Sequence, residues 1–245
     1  MPADISATYM VKLTSRESIA EGTMAFRFEK PKEFHFTPGQ YVDVTLLNPP
    51  DTDAEGNIRS FSIASAPFED HLTLVTRMRD TAFKRVLKSA PLGVEAKLDG
   101  PMGSFTLHKN ASKAAVFLAG GIGITPFFSI LRNAAHGKLP HRLYLFYSNR
   151  RPEDATFLSE LRQLEEKNQH FRFVPTMTEM AKSHRDWKGQ TGFIDQQIVR
   201  KLLPDLHGPI YYIAGPPAMV AAMRQVLVSS GVDEDDVRTE EFAGY

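Results

Sequence analysis

Residues 114–126 read AAVFLAGGIGITP. An unbroken apolar run of strand length stops at two glycines, and a helix-compatible stretch follows. A strand that is apolar at every position is buried on both faces, which is the pattern of a parallel sheet covered by helices. The segment Gly121-Ile122-Gly123 begins like a dinucleotide-binding turn, although the third glycine position of that pattern holds Pro126. Thr125 reads as the N-cap and Pro126 as the first helical residue. Free backbone N–H groups and the helix dipole would then face an anion. The plainer reading is a glycine turn that only lets strand and helix pack closely.

The rest of the second half keeps this rhythm. HRLYLFYS (141–148), FRFVPTMT (171–178) and PIYYIAG (209–215) read as strands, with helical stretches near 126–135, 153–167, 193–203 and 217–230. Strand and helix in alternation predict a parallel α/β domain. AGPPAM (214–219) repeats the strand-to-helix corner, with small residues Ala214 and Gly215 where a ligand would lie over the sheet. The first half beats at period two instead. YVDVTLL (41–47), LTLVTRM (72–78) and VEAKLDG (94–100) are separated by Pro/Gly turns, which predicts an antiparallel barrel. DTAFKRVLKSA (80–90) is its one helix, capped by Asp80 or Thr81, and the change of rhythm falls near 107–113.

The 245 residues carry 29 Lys plus Arg and 29 Asp plus Glu, so nothing in the charge balance asks for nucleic acid or an anionic membrane. With no cysteine, the chain has no disulfide, no thiolate nucleophile and no Cys-ligated cluster. No metal site is expected. No run reaches the roughly 18 apolar residues of a membrane helix, and the start MPADISATYMVKL lacks the features of a secretory signal. A cytoplasmic monomer is the expectation.

RSFSIAS (59–65) places one cation and three hydroxyls on a strand. It reads either as an edge strand with a polar face or as a surface for something flat with an anionic end. Six segments in order now resemble the ferredoxin–NADP reductase superfamily: PGQYVDV (38–44), RSFSIAS, GPMGSF (100–105), GGIGITP (120–126), AGPPAM and the terminal Glu240-Glu241-Phe242. The resemblance spans about residues 5 to 245. It implies an antiparallel six-stranded Greek-key barrel that binds FAD (1–110), then a Rossmann-like parallel α/β domain that binds NAD(P)H (111–245).

On that resemblance, Arg59 pairs with a flavin phosphate, Phe61 packs on the flavin, and Ser62 sits where hydride arrives. Ser65 supports the turn. Ser60 and Thr76 join the flavin contacts, and Thr81 receives the pyrophosphate at the helix start. Gly121, Gly123, Thr125, Pro126, Gly215 and Pro216 form the nucleotide loops. Glu240 completes a polar pair with Ser62, and Phe242 covers the flavin. Tyr245 either reaches the adenine or is a frayed end. Glu179 suits a ribose diol and favours NADH, while Arg150 and Arg151 are available to a 2′-phosphate. Ala214 replaces the family cysteine, which implies a retuned enzyme. The implied activity is electron transfer from NAD(P)H through FAD to a separate ferredoxin, flavodoxin or monooxygenase component. A basic face of Arg77, Arg79, Lys84, Arg85 and Lys88 would suit an acidic partner. A reductase of quinones, ferric chelates or free flavin, or a non-catalytic FAD-binding module, stays open.

Overall fold

Alternating burial builds the first half of the chain. The computed structural model describes residues 7–243. In β1 (Ala7–Ala20) Val11 and Leu13 turn inward, and Phe26 and Phe28 do so in β2 (Thr23–Glu29). These side chains join those of β3 (Tyr41–Leu46), β4 (Ile58–Ser62), β5 (His71–Arg77) and β6 (Glu95–Met102) in one core. Each large apolar side chain taken from water contributes about 1.5–3 kcal/mol. The antiparallel sheet runs β4-β3-β6-β1-β2-β5, and its two edges meet at one isolated bridge, Ile63 to Leu74. Helix α1 (Ala82–Ser89) follows β5 and sends Phe83 and Leu87 into the same core. Of the two expected caps, Thr81 takes the role, accepting from Lys84 N–H at 3.4 Å.

The second half is a parallel sheet in the order β10-β9-β8-β7-β11-β12. Its strands are β7 (Ala115–Gly120), β8 (Leu143–Asn149), β9 (Phe171–Met177), β10 (Gln190–Thr191), β11 (Ile210–Gly215) and β12 (Val237–Glu241). Helices α2 (Ile124–His136), α3 (Leu158–Lys167), α4 (Gln196–Leu202) and α5 (Pro217–Ser229) cover it. The apolar faces of β7 and β11 are clothed on both sides, by α2 and α3 in one layer and α4 and α5 in the other. Strands β1, β2, β10 and β12 add to those singled out in the sequence. No helix among the described residues is long and apolar enough to cross a membrane.

The start of α2 differs from expectation. A 3₁₀ turn over Gly121–Gly123 runs straight into the helix, so Gly123 is the N-cap and no side chain caps it. Thr125 therefore lies inside the first turn, where its hydroxyl donates to the Ile122 carbonyl at 3.1 Å. Thr125 and Pro126 are both buried.

The halves are held by the loop 65–71. Ser129 of α2 donates its hydroxyl to the Ser65 carbonyl at 2.6 Å, buried. Ser65 Oγ accepts from Thr73 N–H at 3.0 Å, so this serine supports the turn as expected. Glu69 accepts from Arg132 of α2 at 2.7 Å and, with its other oxygen, from Ala66 N–H. Phe68 stacks on His136, the ring centres 3.9 Å apart. The Glu69 side chain is only 10% exposed, so losing it leaves donors unpaired in a poorly hydrated seam. Glu69→Ala is expected to cost about 1–3 kcal/mol and to speed proteolysis in the connector around 105–113. Thermal denaturation and limited digestion read both, and unchanged digestion would show that the seam does not depend on this residue.

Candidate active site at the domain junction

Strand β7 lies where the sheet order reverses, with β8 on one side and β11 on the other. Connections leave such a point in opposite directions and open a crevice at the carboxyl ends of the strands. A cavity of about 330 Å³ occupies that place. Gly120 and Gly121 line it after β7, Ser148, Asn149 and Arg150 after β8, Thr178 after β9, and Pro216 and Met219 after β11. Arg77 and Arg79 close it from the barrel, and Phe242 from the chain end.

Two glycines give the crevice its shape. Gly121 has φ +53°, and an added Cβ would meet nothing within 4 Å, so its backbone faces the open cleft. Gly123 does the opposite: a Cβ there would collide with the Ala214 carbonyl. The turn after β7 is thus pressed against the turn after β11. The close-packing reading of the glycine loop holds for Gly123, while Gly121 faces open space. Phe242 is anchored from below, its N–H donating to the Gly215 carbonyl at 3.0 Å.

The expected site residues separate into three groups. Gly121, Arg150, Gly215, Pro216 and Phe242 meet at the cleft or its floor. Arg150 makes no side-chain hydrogen bond or ion pair with a described residue, whereas Arg151 is held by Asp154 at 2.9 Å and Glu21 at 3.2 Å. Burial penalises the Asp154 carboxylate, but the Arg151 fork, with Arg77 and Arg150 nearby, outweighs it and holds its pKa low. Arg151 is thus already paired within the protein, and Arg150 is the less engaged of the two. Glu179 stands one residue past the cleft-lining Thr178 and pairs with Lys182 at 2.7 Å. Thr125 and Pro126 do not line the cleft.

A second group gathers on the barrel. Arg59 lies 5.3 Å from the Phe83 ring centre, and the Phe61 ring is 5.9 Å from the same ring. Thr81 and Ala82 begin the adjacent helix. Phe61 is buried in the barrel core. Two residues fall outside this face. Ser60 points the other way and donates to Asp43 at 2.5 Å, because neighbours on a strand face opposite sides. Thr76 is fully buried and its hydroxyl turns back to the Arg77 carbonyl at 3.3 Å.

Ser62 and Glu240 are the third group. Ser62 is buried and makes no side-chain hydrogen bond to a described residue. Glu240, paired in register with Ala214, buries Oε2 without a partner among the described residues. Burial pushes its pKa up to about 7. Unsatisfied buried polar atoms are rare in folded proteins and point to a missing partner. Together with the arginines and the glycine cleft, they fit a flavin and a nicotinamide nucleotide.

Comparison with known proteins agrees with this geometry. The family model for the oxidoreductase FAD-binding domain matches residues 10–107, and that for the oxidoreductase NAD-binding domain matches residues 117–225. The chain belongs to the ferredoxin–NADP reductase superfamily. It carries an FAD-binding and an NAD-binding domain in the order of that superfamily. A reductase subunit of glycine betaine monooxygenase from Chromohalobacter salexigens is 28% identical over 223 residues, covering 90% of this chain and 60% of that protein. The reductase component of propane 2-monooxygenase from Mycolicibacterium smegmatis is 31% identical over 220 residues, 87% of this chain and 61% of its own. The chain thus spans about three-fifths of the length of these curated relatives. Among solved structures, a ferredoxin NADP⁺ reductase from Neisseria gonorrhoeae with bound FAD and NADP matches with a TM-score of 0.78 at 21% identity, over 96% of this chain and 98% of that one.

Sequence reasoning missed Asn149, Met219 and Phe193 at the cleft. Phe193 is 78% exposed at the rim, and a lone aromatic after Gly192 in a polar loop was a usable signal. The basic face expected around Arg77, Arg79, Lys84, Arg85 and Lys88 is partly offset by carboxylates. Arg85 pairs with Asp51 and Asp80, Arg77 with Asp154, and Lys84 is buried with its ammonium donating to the Arg77 carbonyl at 2.8 Å. The acids DEDD (233–236) make a 3₁₀ turn that Asp233 caps, and Asp236 reaches Lys113 at 2.9 Å. Tyr245 lies outside the described residues.

The buried Glu240 makes stability depend on pH. Below about pH 4.5 the carboxyl is protonated in both folded and unfolded chains and contributes nothing. Between about 4.5 and 7 the unfolded chain releases a proton that the folded one keeps, so stability falls as pH rises, then levels off. The fall amounts to about 3 kcal/mol. Glu240→Gln is expected to remove it, so denaturation of parent and variant should differ more at pH 7.5 than at pH 5. Equal differences at both pH values would place the carboxylate in water.

Proposed function

We propose that this protein is an FAD-dependent NAD(P)H oxidoreductase that delivers electrons to a separate acceptor. The carrying observation is the cleft at the sheet's switch point, opened by Gly121 and closed by barrel arginines and Phe242. Its domains are taken as 1–110 for FAD and 111–245 for NAD(P)H. FAD, when bound, supplies the exchange between a two-electron hydride donor and an acceptor that takes electrons singly or in pairs. The chain's own residues place the partners. Arg59 and the start of α1 hold the flavin phosphates, and Gly121, Pro216 and Arg150 receive the nucleotide. Phe242, at the wall of the cleft, would cover the flavin. Ser62 and Glu240 offer the unpartnered polar atoms that orient the carboxamide and the reacting ring. Ala214 is fully buried beneath them, so the absent thiol removes a soft contact and no acid or nucleophile.

NADH is the favoured donor, because the Glu179 carboxylate at the rim repels a 2′-phosphate and suits a diol. The Lys182 pair and the unpaired Arg150 weaken that bias. The relatives' names support an oxygenase component as acceptor. The partial offset of the basic face by Asp51, Asp80 and Asp154 leaves a small acceptor, such as a quinone, ferric chelate or free flavin, as the second reading. A monomer in the cytoplasm completes the reading.

The purified protein is expected to be yellow and to release FAD. Ser62→Ala should keep flavin and slow its reduction by NADH about tenfold or more, the effect of about 1.4 kcal/mol in the transition state. Equal stopped-flow rates would remove Ser62 from the reaction. Glu179→Arg should move the NADPH to NADH ratio of kcat/KM upward about tenfold, since like-charge repulsion becomes a charge-assisted pair. An unmoved ratio would turn attention to Arg150.

A further inference from the structure

The loop between β3 and β4 carries Asp51, Asp53 and Glu55 within five residues. Two of these acids sit on the donors that the barrel offers to phosphate. Asp53 Oδ2 accepts from the Ala82 N–H in the first turn of α1 at 2.7 Å. Glu55 Oε2 accepts from Arg59 at 2.6 Å, and the Glu55 and Gly56 carbonyls accept from the same guanidinium at 2.8 and 3.2 Å. The Asp53 carboxylate also lies 3.8 Å from Arg59. Arg59 is only 19% exposed as a result. The third acid, Asp51, is turned away onto Arg85 at 2.6 Å.

A carboxylate at a helix N-terminus and a carboxylate on an arginine fork are the same chemistry a phosphate uses there. The hydrogen bond from Ala82, with Arg59 and Arg85 nearby, holds the Asp53 pKa below the usual carboxylate range, so Asp53 is an anion at neutral pH. The Ala82 N–H can serve one full anion at a time, and the Arg59 fork is already shared among the Glu55 carboxylate and the Glu55, Gly56 and Ile58 carbonyls. Flavin phosphates must therefore exchange with carboxylates already in place, and the gain on binding is a difference between two sets of ion pairs.

We propose that Asp53 and Glu55 set the flavin affinity of this protein by occupying, in the flavin-free state, the two phosphate donors that FAD needs. The proposal rests on the reading of Arg59 and the α1 start as the phosphate site. Several consequences distinguish it from a role in holding the loop. The acids act only against ligands that carry phosphate. Their effect is strongest at low ionic strength, where removal of two negative charges draws an anionic flavin most. The loop must also move for FAD to seat, so its backbone amides should exchange faster in the flavin-loaded protein than in the stripped one.

The test compares the full chain, stripped of flavin, with the double variant Asp53→Asn/Glu55→Gln. The amide oxygen that replaces the Asp53 carboxylate can still accept from the Ala82 N–H, so the helix start keeps its partner, and thermal melting of the stripped forms checks the fold. Binding is read by flavin fluorescence for FAD and for riboflavin, which has no phosphate. The expected result is FAD tightened roughly five- to thirtyfold, as two exposed ion pairs imply, with riboflavin unmoved. Unchanged or weaker FAD binding overturns the proposal, as does a tightening that riboflavin shares; in each case the barrel remains a flavin site. If neither form binds FAD, the phosphate-site reading falls and the proposal falls with it.

Discussion

Everything at the junction depends on how closely the turn after β7 approaches the turn after β11. Gly123 lies against the Ala214 carbonyl with no room for a side chain. That contact makes the floor of the crevice, beside which the β11–β12 ladder sets Glu240 opposite Ala214 and ties Phe242 N–H to the Gly215 carbonyl. A bulkier residue would push the two strand ends apart and spread the cleft. Parallel sheets place their ligands at the carboxyl ends of strands because only there do the connections diverge. In this chain the divergence is held at van der Waals contact by the absence of one methyl group.

The second constraint is the seam between barrel and α/β domain. A buried hydroxyl bond, an ion pair and a stacked ring pair join the loop 65–71 to α2, and Arg77–Asp154 and Arg151–Glu21 add ion pairs across the seam. On the other side of the barrel the connector is tied down as well. His108 N–H donates to the Tyr212 hydroxyl at 2.9 Å, and His108 Nδ1 faces the same oxygen at 2.9 Å. Burial lowers the His108 pKa, which keeps the ring neutral and able to accept. Arg77 and Arg79 are thereby carried to the cleft as fixed parts of its wall.

Charge is where pattern and structure part most clearly. Arg77, Arg79, Lys84, Arg85 and Lys88 look like one basic face when written in a line. Their counter-charges come from elsewhere: Asp51 is 34 residues from Arg85 and Asp154 is 77 from Arg77. Lys84 spends its burial on a backbone carbonyl, and desolvation brings its pKa down to about 8. The same holds for Arg59. Its motif announces an anion partner, and the partner in this structure is the protein's own loop.

The sequence by itself determined the architecture and the order of the two domains. Period-two alternation marked the barrel, the apolar run before Gly120 marked the central parallel strand, and the order of motifs named both nucleotide-binding domains. These signals are local, since burial on one or both faces of a strand is written in consecutive residues. Strands β1 and β12 were less legible. Much of β1 is exposed and rich in Ser, Arg and Glu, and β12 is an edge strand whose residues include Arg238, Glu240 and Glu241. Only the tertiary structure decided which glycine opens the cleft and which one packs, that α2 begins before Thr125, that Ser60 faces away from Arg59, and which arginines keep a free fork. Several of those depend on a partner far along the chain, as Gly123 does on Ala214 and Arg151 on Glu21, and distance in space settles them, which spacing along the chain does not encode.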